Sequence, residues 1–153
     1  MQVRFAEIHE ADLLSDLCFR SKTFWGYDTA FMEACRESLK INSQQIENGY
    51  VLVAADGQSL AGVSAMDPIG NSAWELDAFF VDPDFIGKGV GRLLFHAVVD
   101  LLTQRNCKEL KIVSDPQARP FYDKMGALYE RDTQSDVFPD RLLPLLKFTL
   151  DSR

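Results

Sequence analysis

Cysteine is scarce in this chain and follows no paired pattern. Cys18, Cys35 and Cys107 are odd in number and far apart, and none belongs to a Cys-x-x-Cys pair. That spacing argues against a zinc ribbon and against a dithiol redox site. Positive charge is also in short supply. Sixteen Lys and Arg face 23 Asp and Glu, for a net charge of −7, and no basic tract is present. Such a chain is a poor electrostatic match to a polyanion, so nucleic acid is not expected as a partner. An acidic surface suits a cationic partner such as an amine, although solubility alone also explains the sign. No apolar run approaches the roughly 18 to 20 residues that a membrane span requires. The start, MQVRFAEIHEADLL, has no basic segment leading into an apolar one, so neither a secretory signal nor a membrane contact is expected. Three reduced, mostly buried thiols in a cytoplasmic protein are the expectation.

Repeats and low-complexity stretches are missing too. The chain has 153 residues, near the commonest size of one domain, so a single domain over 1–153 is expected. Hydrophobic residues make up 46% and charged residues 25%, which excludes disorder or collagen-like order for the whole chain. At this length the core needs no metal or disulfide to fold.

The periodicity predicts a strand over 2–8. A helix follows over 10–24, with Leu13, Leu14, Leu17 and Cys18 at helical spacing. Asp28 is the expected N-cap of a second helix to about Leu39, with Phe31, Met32, Cys35 and Leu39 on one stripe. Strands are predicted over 50–55 and 60–66 around the Asp56-Gly57 turn, then over 73–81. The second half of that last strand is apolar on both faces, as in a covered central strand. The best helix runs over 89–105, with Val90, Leu94, Ala97, Val98 and Leu101 on one face and His96 on the polar side. His9, like His96, is expected at the surface. A strand over 109–113, a helix over 116–124 with Gly126 as its C-cap, and strands near 127–131 and 145–150 complete the order. The fold class is mixed α/β (α+β) with a largely antiparallel sheet. Segments 70–72 and 133–140 read as loops.

One segment concentrates the chemistry: Phe79-Phe80-Val81-Asp82-Pro83-Asp84-Phe85-Ile86-Gly87-Lys88-Gly89-Val90-Gly91-Arg92. A strand enters a loop with three alternate glycines, and a helix begins inside it. Glycine lets the backbone turn sharply, so that successive N–H groups point to one place. The helix N-terminus adds partial positive charge, and Lys88 and Arg92 supply mobile cations. A phosphate or pyrophosphate is the expected occupant. The spacing Gly-x-Gly-x-Gly is not that of dinucleotide folds. The P-loop pattern fails as well, because Gly89 follows Gly87-Lys88 and position 82 is Asp.

This segment resembles the central motif of the GNAT superfamily of N-acetyltransferases, Gln/Arg-x-x-Gly-x-Gly/Ala after a strand and a Val-x-Pro turn. Val81-Asp82-Pro83 and Gly87 to Gly91 match, while Ile86 stands where the family usually has Arg or Gln. A second motif, roughly Asn-x-x-Ala-x-x-Phe-Tyr-x-Lys-x-Gly-Phe, is similar to Asp115-Pro116-Gln117-Ala118-Arg119-Pro120-Phe121-Tyr122-Asp123-Lys124-Met125-Gly126-Ala127. Asp115 replaces Asn there, and Ala127 replaces Phe. The resemblance implies a GNAT-like fold, with a sheet of about six to seven strands flanked by about four helices. It also implies acetyl-CoA as co-substrate, no metal, and a small-molecule or protein amine as acceptor; it is compatible with a homodimer.

The same resemblance distributes the roles. Phe79, Phe80 and Val81, then Ile86, Gly87, Lys88, Gly89, Val90, Gly91 and Arg92, then Asp115, Ala118 and Phe121, would hold the co-substrate. A backbone N–H at the Phe79–Val81 strand end would polarise the thioester carbonyl. Tyr122 would return a proton to the leaving thiolate. An ordinary phenol near pKa 10 is protonated at neutral pH, while a thiol titrates near 8.5. Glu75 and Asp77, two apart on one strand, share a face. Either would take the amine proton, and the family pattern puts Glu75 first. Trp25 and Tyr27 would wall the acceptor site, partly by cation–π contact. Two other readings stay open: a non-catalytic acyl-CoA-binding module, on the strength of Ile86, and transfer of another acyl group or to another acceptor.

Overall fold

A computed structural model describes residues 1–150 of the chain. In order, the elements are β1 (Gln2–Phe5), α1 (Ala11–Thr23), α2 (Thr29–Cys35), α3 (Ser43–Glu47), β2 (Val51–Asp56), β3 (Ser59–Gly70) and β4 (Ala73–Val81), then α4 (Val90–Gln104), β5 (Glu109–Val113), α5 (Arg119–Met125), β6 (Leu128–Gln134) and β7 (Leu142–Thr149). The seven strands form one sheet in the order β1-β2-β3-β4-β5-β7-β6. The β1–β2, β2–β3, β5–β7 and β6–β7 pairs are antiparallel, and β4–β5 is parallel. The mixed, mostly antiparallel class is therefore as expected. Among the described residues no helix is long and apolar enough to cross a membrane.

The chain divides into two compact units. The first comprises Met1–Met66 and Asp77–Val98. Its centre is the β1-β2-β3 meander, where Val53 lies opposite Val63. Val51, Val53, Ala61, Val63 and Ala65 are all buried there. From α1 it takes Leu14, Leu17 and Cys18; Leu13, expected on that stripe, is instead 56% exposed. From α4 it takes Val90, Leu94, Phe95 and Val98. Gly62 of β3 admits this helix, since a Cβ there would lie 3.0 Å from Val90 Cγ1 and 3.3 Å from the Phe80 carbonyl.

The second unit comprises Asp67–Leu76 and the chain from Val99 onward. Trp74 and Leu76 of β4 lie parallel beside Leu110 and Ile112 of β5, and Ile112 faces Leu146 of β7. These side chains are buried, with Leu102 and Leu145.

Several boundaries differ from the sequence reading, each for a local reason. The second helix stops at Cys35, and Glu37–Leu39 continues as a 3-10 turn. An extra helix, α3, starts at Asn42, whose side chain accepts from Gln45 N–H while Gln45 accepts from Asn42 N–H. Among the described residues there are thus five α-helices, close to the expectation of about four. The expected helix from Pro116 begins only at Arg119, because Asp115 accepts the Gln117 N–H and closes a turn first; Pro120 is the proline of the first helical turn. β3 runs past Met66 to Gly70, and only Asn71 and Ser72, at φ 52° and 63°, make the turn into β4. Segment 70–72 is therefore a tight hairpin turn and not a loop, and Thr133 and Gln134 belong to β6. Phe79, Phe80 and Val81 are half-buried, so the end of β4 is less covered than its apolar sequence suggests.

Candidate active site

The first unit carries the glycine loop. β4 ends at Val81, and Asp82 then does three things at once. Its N–H donates to the Ala61 carbonyl at 2.8 Å. One carboxylate oxygen accepts the Asp84 N–H at 2.9 Å and so caps the Pro83–Phe85 turn. The other pairs with Arg20 of α1 at 2.6 Å. The loop is thus fastened to β3 and α1 just before its glycines. Removing the side chain (Asp82→Ala) is expected to cost about 1 kcal/mol of stability through the lost cap. Thermal unfolding checks this.

Beyond the turn, Gly87 and Gly89 adopt φ of 81° and 78°, conformations that an L side chain rarely takes. A Cβ added at either would meet nothing within 4 Å. Open space therefore lies beside the backbone that leads into α4. The first N–H groups of a helix have no intrahelical acceptor, and here Leu93 N–H is the first to find one, at Gly89 O. Amides, the helix dipole, Lys88 and Arg92 together make an anion cradle. Both cationic side chains are exposed, and the Lys88 ammonium lies 5.3 Å from the Phe85 ring. Ile86 is 53% exposed and offers no polar atom. The residues present fit a pyrophosphate, for which backbone amides would be the main donors.

Along β4, Trp74, Leu76 and Ala78 are buried while Glu75 and Asp77 fall on the other face, as expected. Asp77 is exposed, and one of its oxygens accepts the Gln45 side-chain N–H at 2.9 Å. Phe79 meets Phe95 edge-on, with ring centroids 6.0 Å apart. Burial, and next the charge of Asp77, push the Cys18 thiol well above its usual value, so it stays neutral. Cys35 and Cys107 are buried too, and no disulfide is formed. His9 and His96 are exposed.

Between α1 and α2, Tyr27 stacks on Phe31 at 4.2 Å. The Lys22 ammonium lies 5.4 Å from the Tyr27 ring and 5.9 Å from that of Phe31. The cation beside Tyr27 is thus the protein's own. Trp25 is 40% exposed.

The second unit carries the other motif. Tyr122 is buried on α5 and meets Phe121 edge-on, and Gly126, at φ 103°, ends the helix. Burial first, then the negative charge of Asp115, push the Tyr122 phenol above its ordinary value. Asp115 pairs with Arg141 at 3.7 Å. Ala118 is the residue from which α5 starts.

Comparison with known proteins shows the fold and the family. The profile of the acetyltransferase (GNAT) family matches residues 16–127. The PaiA N-acetyltransferase of Thermoplasma acidophilum, solved in complex with coenzyme A, superposes with a TM-score of 0.79 at 18% identity, over 97% of this chain and 98% of that one. The ribosomal-protein-S18-alanine N-acetyltransferase of Escherichia coli gives 0.68 at 14% identity, over 97% and 92%. A protein of Pyropia yezoensis named as an uncharacterized N-acetyltransferase, ycf52, is 28% identical over 58 residues. That match spans 38% of this chain and 33% of the relative's length. The chain belongs to the acetyltransferase (GNAT) family.

Gln45, Gly62 and the Arg20–Asp82 pair escaped the sequence reading. Asn42-x-x-Gln45 is a capping-box spacing and was there to be found. The pairs Gln45–Asp77 and Arg20–Asp82 join residues 32 and 62 positions apart, and no local pattern announces them.

Proposed function

We propose that the chain is an N-acetyltransferase that moves an acetyl group from acetyl-CoA to a primary amine by direct attack in a ternary complex. The observation that carries this is the loop. Gly87 and Gly89 hold left-handed backbone with open space beside them, at the start of a 15-residue helix. The PaiA structure contains coenzyme A, and a GNAT profile matches most of this chain. The co-substrate supplies an activated thioester. The protein holds its pyrophosphate on the loop amides, with Lys88 and Arg92 adding charge. Phe79, Phe80 and Val81 line the strand end, where a main-chain N–H polarises the carbonyl. Asp115, Ala118 and Phe121 complete the contacts.

An alkylamine is mostly protonated at neutral pH and must lose a proton before it attacks. One of the two acids Glu75 and Asp77 takes that proton, and Tyr122 gives one to the departing thiolate. Trp25 and Tyr27 face the acceptor. The three buried, reduced thiols favour action in the cytoplasm. Comparing Glu75→Gln with Asp77→Asn identifies the base: the variant lacking it should lose at least about tenfold in kcat/KM near neutral pH and recover as the pH rises. The overall reading is tested by thiol release from acetyl-CoA across a panel of primary amines. Release that requires an amine is expected. Coenzyme A binding with no release on any amine would instead establish a binding module.

A further inference from the structure

We infer that Gln45 is a positioning residue for Asp77, orienting that carboxylate to receive the proton of the acceptor amine. The inference rests on the transferase reading above and deepens it. Gln45 is 8% exposed and sits at the third position of α3. Its side-chain oxygen accepts the Asn42 main-chain N–H at 3.2 Å. A main-chain N–H has no choice of role, so this contact fixes which end of the amide is oxygen. The other end is then the NH2 group, and it donates to Asp77 Oδ2 at 2.9 Å. Asp77 Oδ2 must therefore act as an acceptor. The capping box of a short helix thus becomes a rigid mount for one carboxylate oxygen.

The second oxygen of Asp77 is left for another donor. Asp77 is exposed, and among the described residues it pairs with no cation. An unpaired, oriented carboxylate beside open solvent suits a protonated amine, whose charge it matches. Charge of both signs lies near: Arg20 of α1 acts on the same Cys18 thiol that feels Asp77. Cys18 of α1 is a neutral buried thiol, Gln45 of α3 is uncharged, and Glu75 lies two residues back on the same face of β4.

The decisive variant is Gln45→Glu. Glutamate keeps an oxygen for the Asn42 N–H, so the cap of α3 survives. It removes the donor and sets a second negative charge against Asp77. The acidic limb of the kcat/KM profile is expected to move upward by about one pH unit or more, with activity regained above the limb. Gln45→Leu loses the donor without adding charge and should move the limb in the same direction by less. In Asp77→Asn the Gln45→Glu change should have no further effect on the profile. The Gln45 side-chain NH2 resonance gives a readout independent of turnover. It should move in Asp77→Asn, where the acceptor has lost its charge, while the main-chain resonances of Asn42 and Gln45 in the cap stay in place.

Equal loss at every pH in Gln45→Glu would overturn the inference, because that is what a purely structural role produces. An amide resonance indifferent to Asp77→Asn would overturn it as well. A chain that releases no thiol with any amine would remove the transferase reading, and this inference with it, whatever the resonance shows.

Discussion

Replacing Gly89 by Val is expected to abolish coenzyme A binding measured by calorimetric titration. Two effects combine. At φ 78° a β-branched residue is strained by about 1–3 kcal/mol, which favours a different loop path. If the path is kept, the side chain projects into the open space over the loop and blocks approach to the amides. Gly57→Val is the control. That glycine also has a left-handed φ, of 62°, and open surroundings, but it lies in the β2–β3 hairpin turn. It should show a similar loss of stability and an unchanged affinity. Retained affinity in Gly89→Val would refute the assignment of the loop.

Tyr122→Phe is expected to lower kcat by about 10²–10⁴-fold with little change in coenzyme A affinity. Phenylalanine keeps the ring that the buried site and the edge-on contact with Phe121 accommodate. Only the proton donor is removed. The pH dependence follows from the sign of the shift. Burial and Asp115 disfavour the charged phenolate, so the protonated form persists to higher pH than in an ordinary tyrosine. No alkaline loss of activity from this group is expected below about pH 10. A rate profile across the alkaline range, with the Phe variant alongside, checks both statements. Unchanged turnover in the variant across the pH range would remove Tyr122 as the acid.

What the sequence announced was mostly local. Asp28 was legible as a cap because its side chain competes for the first helical amides, and it does accept the Phe31 N–H. Gly126 was legible because a helix end in left-handed backbone favours glycine. The strand-to-helix turn at Gly87 and Gly89 was legible because glycines in consecutive sequence mark left-handed backbone. Leu13 misled because helical spacing marks a stripe without saying which of its edges is covered. Pro116 misled because an Asp115 side chain two residues from an amide competes with the helix. The mounting of Asp77 by Gln45, and of the loop by Arg20, depends on how distant segments pack. Such contacts arise only once the fold has formed, and neither periodicity nor motif spacing encodes them.

On the proposed function, the amides between β4 and α4 hold the pyrophosphate of an acyl-CoA. Main-chain amide resonances recorded while coenzyme A is added test it most directly. The amides of Gly87, Lys88, Gly89, Val90, Gly91 and Arg92 are expected to move most, saturating together with the calorimetric isotherm. Saturable binding that left those six amides unmoved would contradict it.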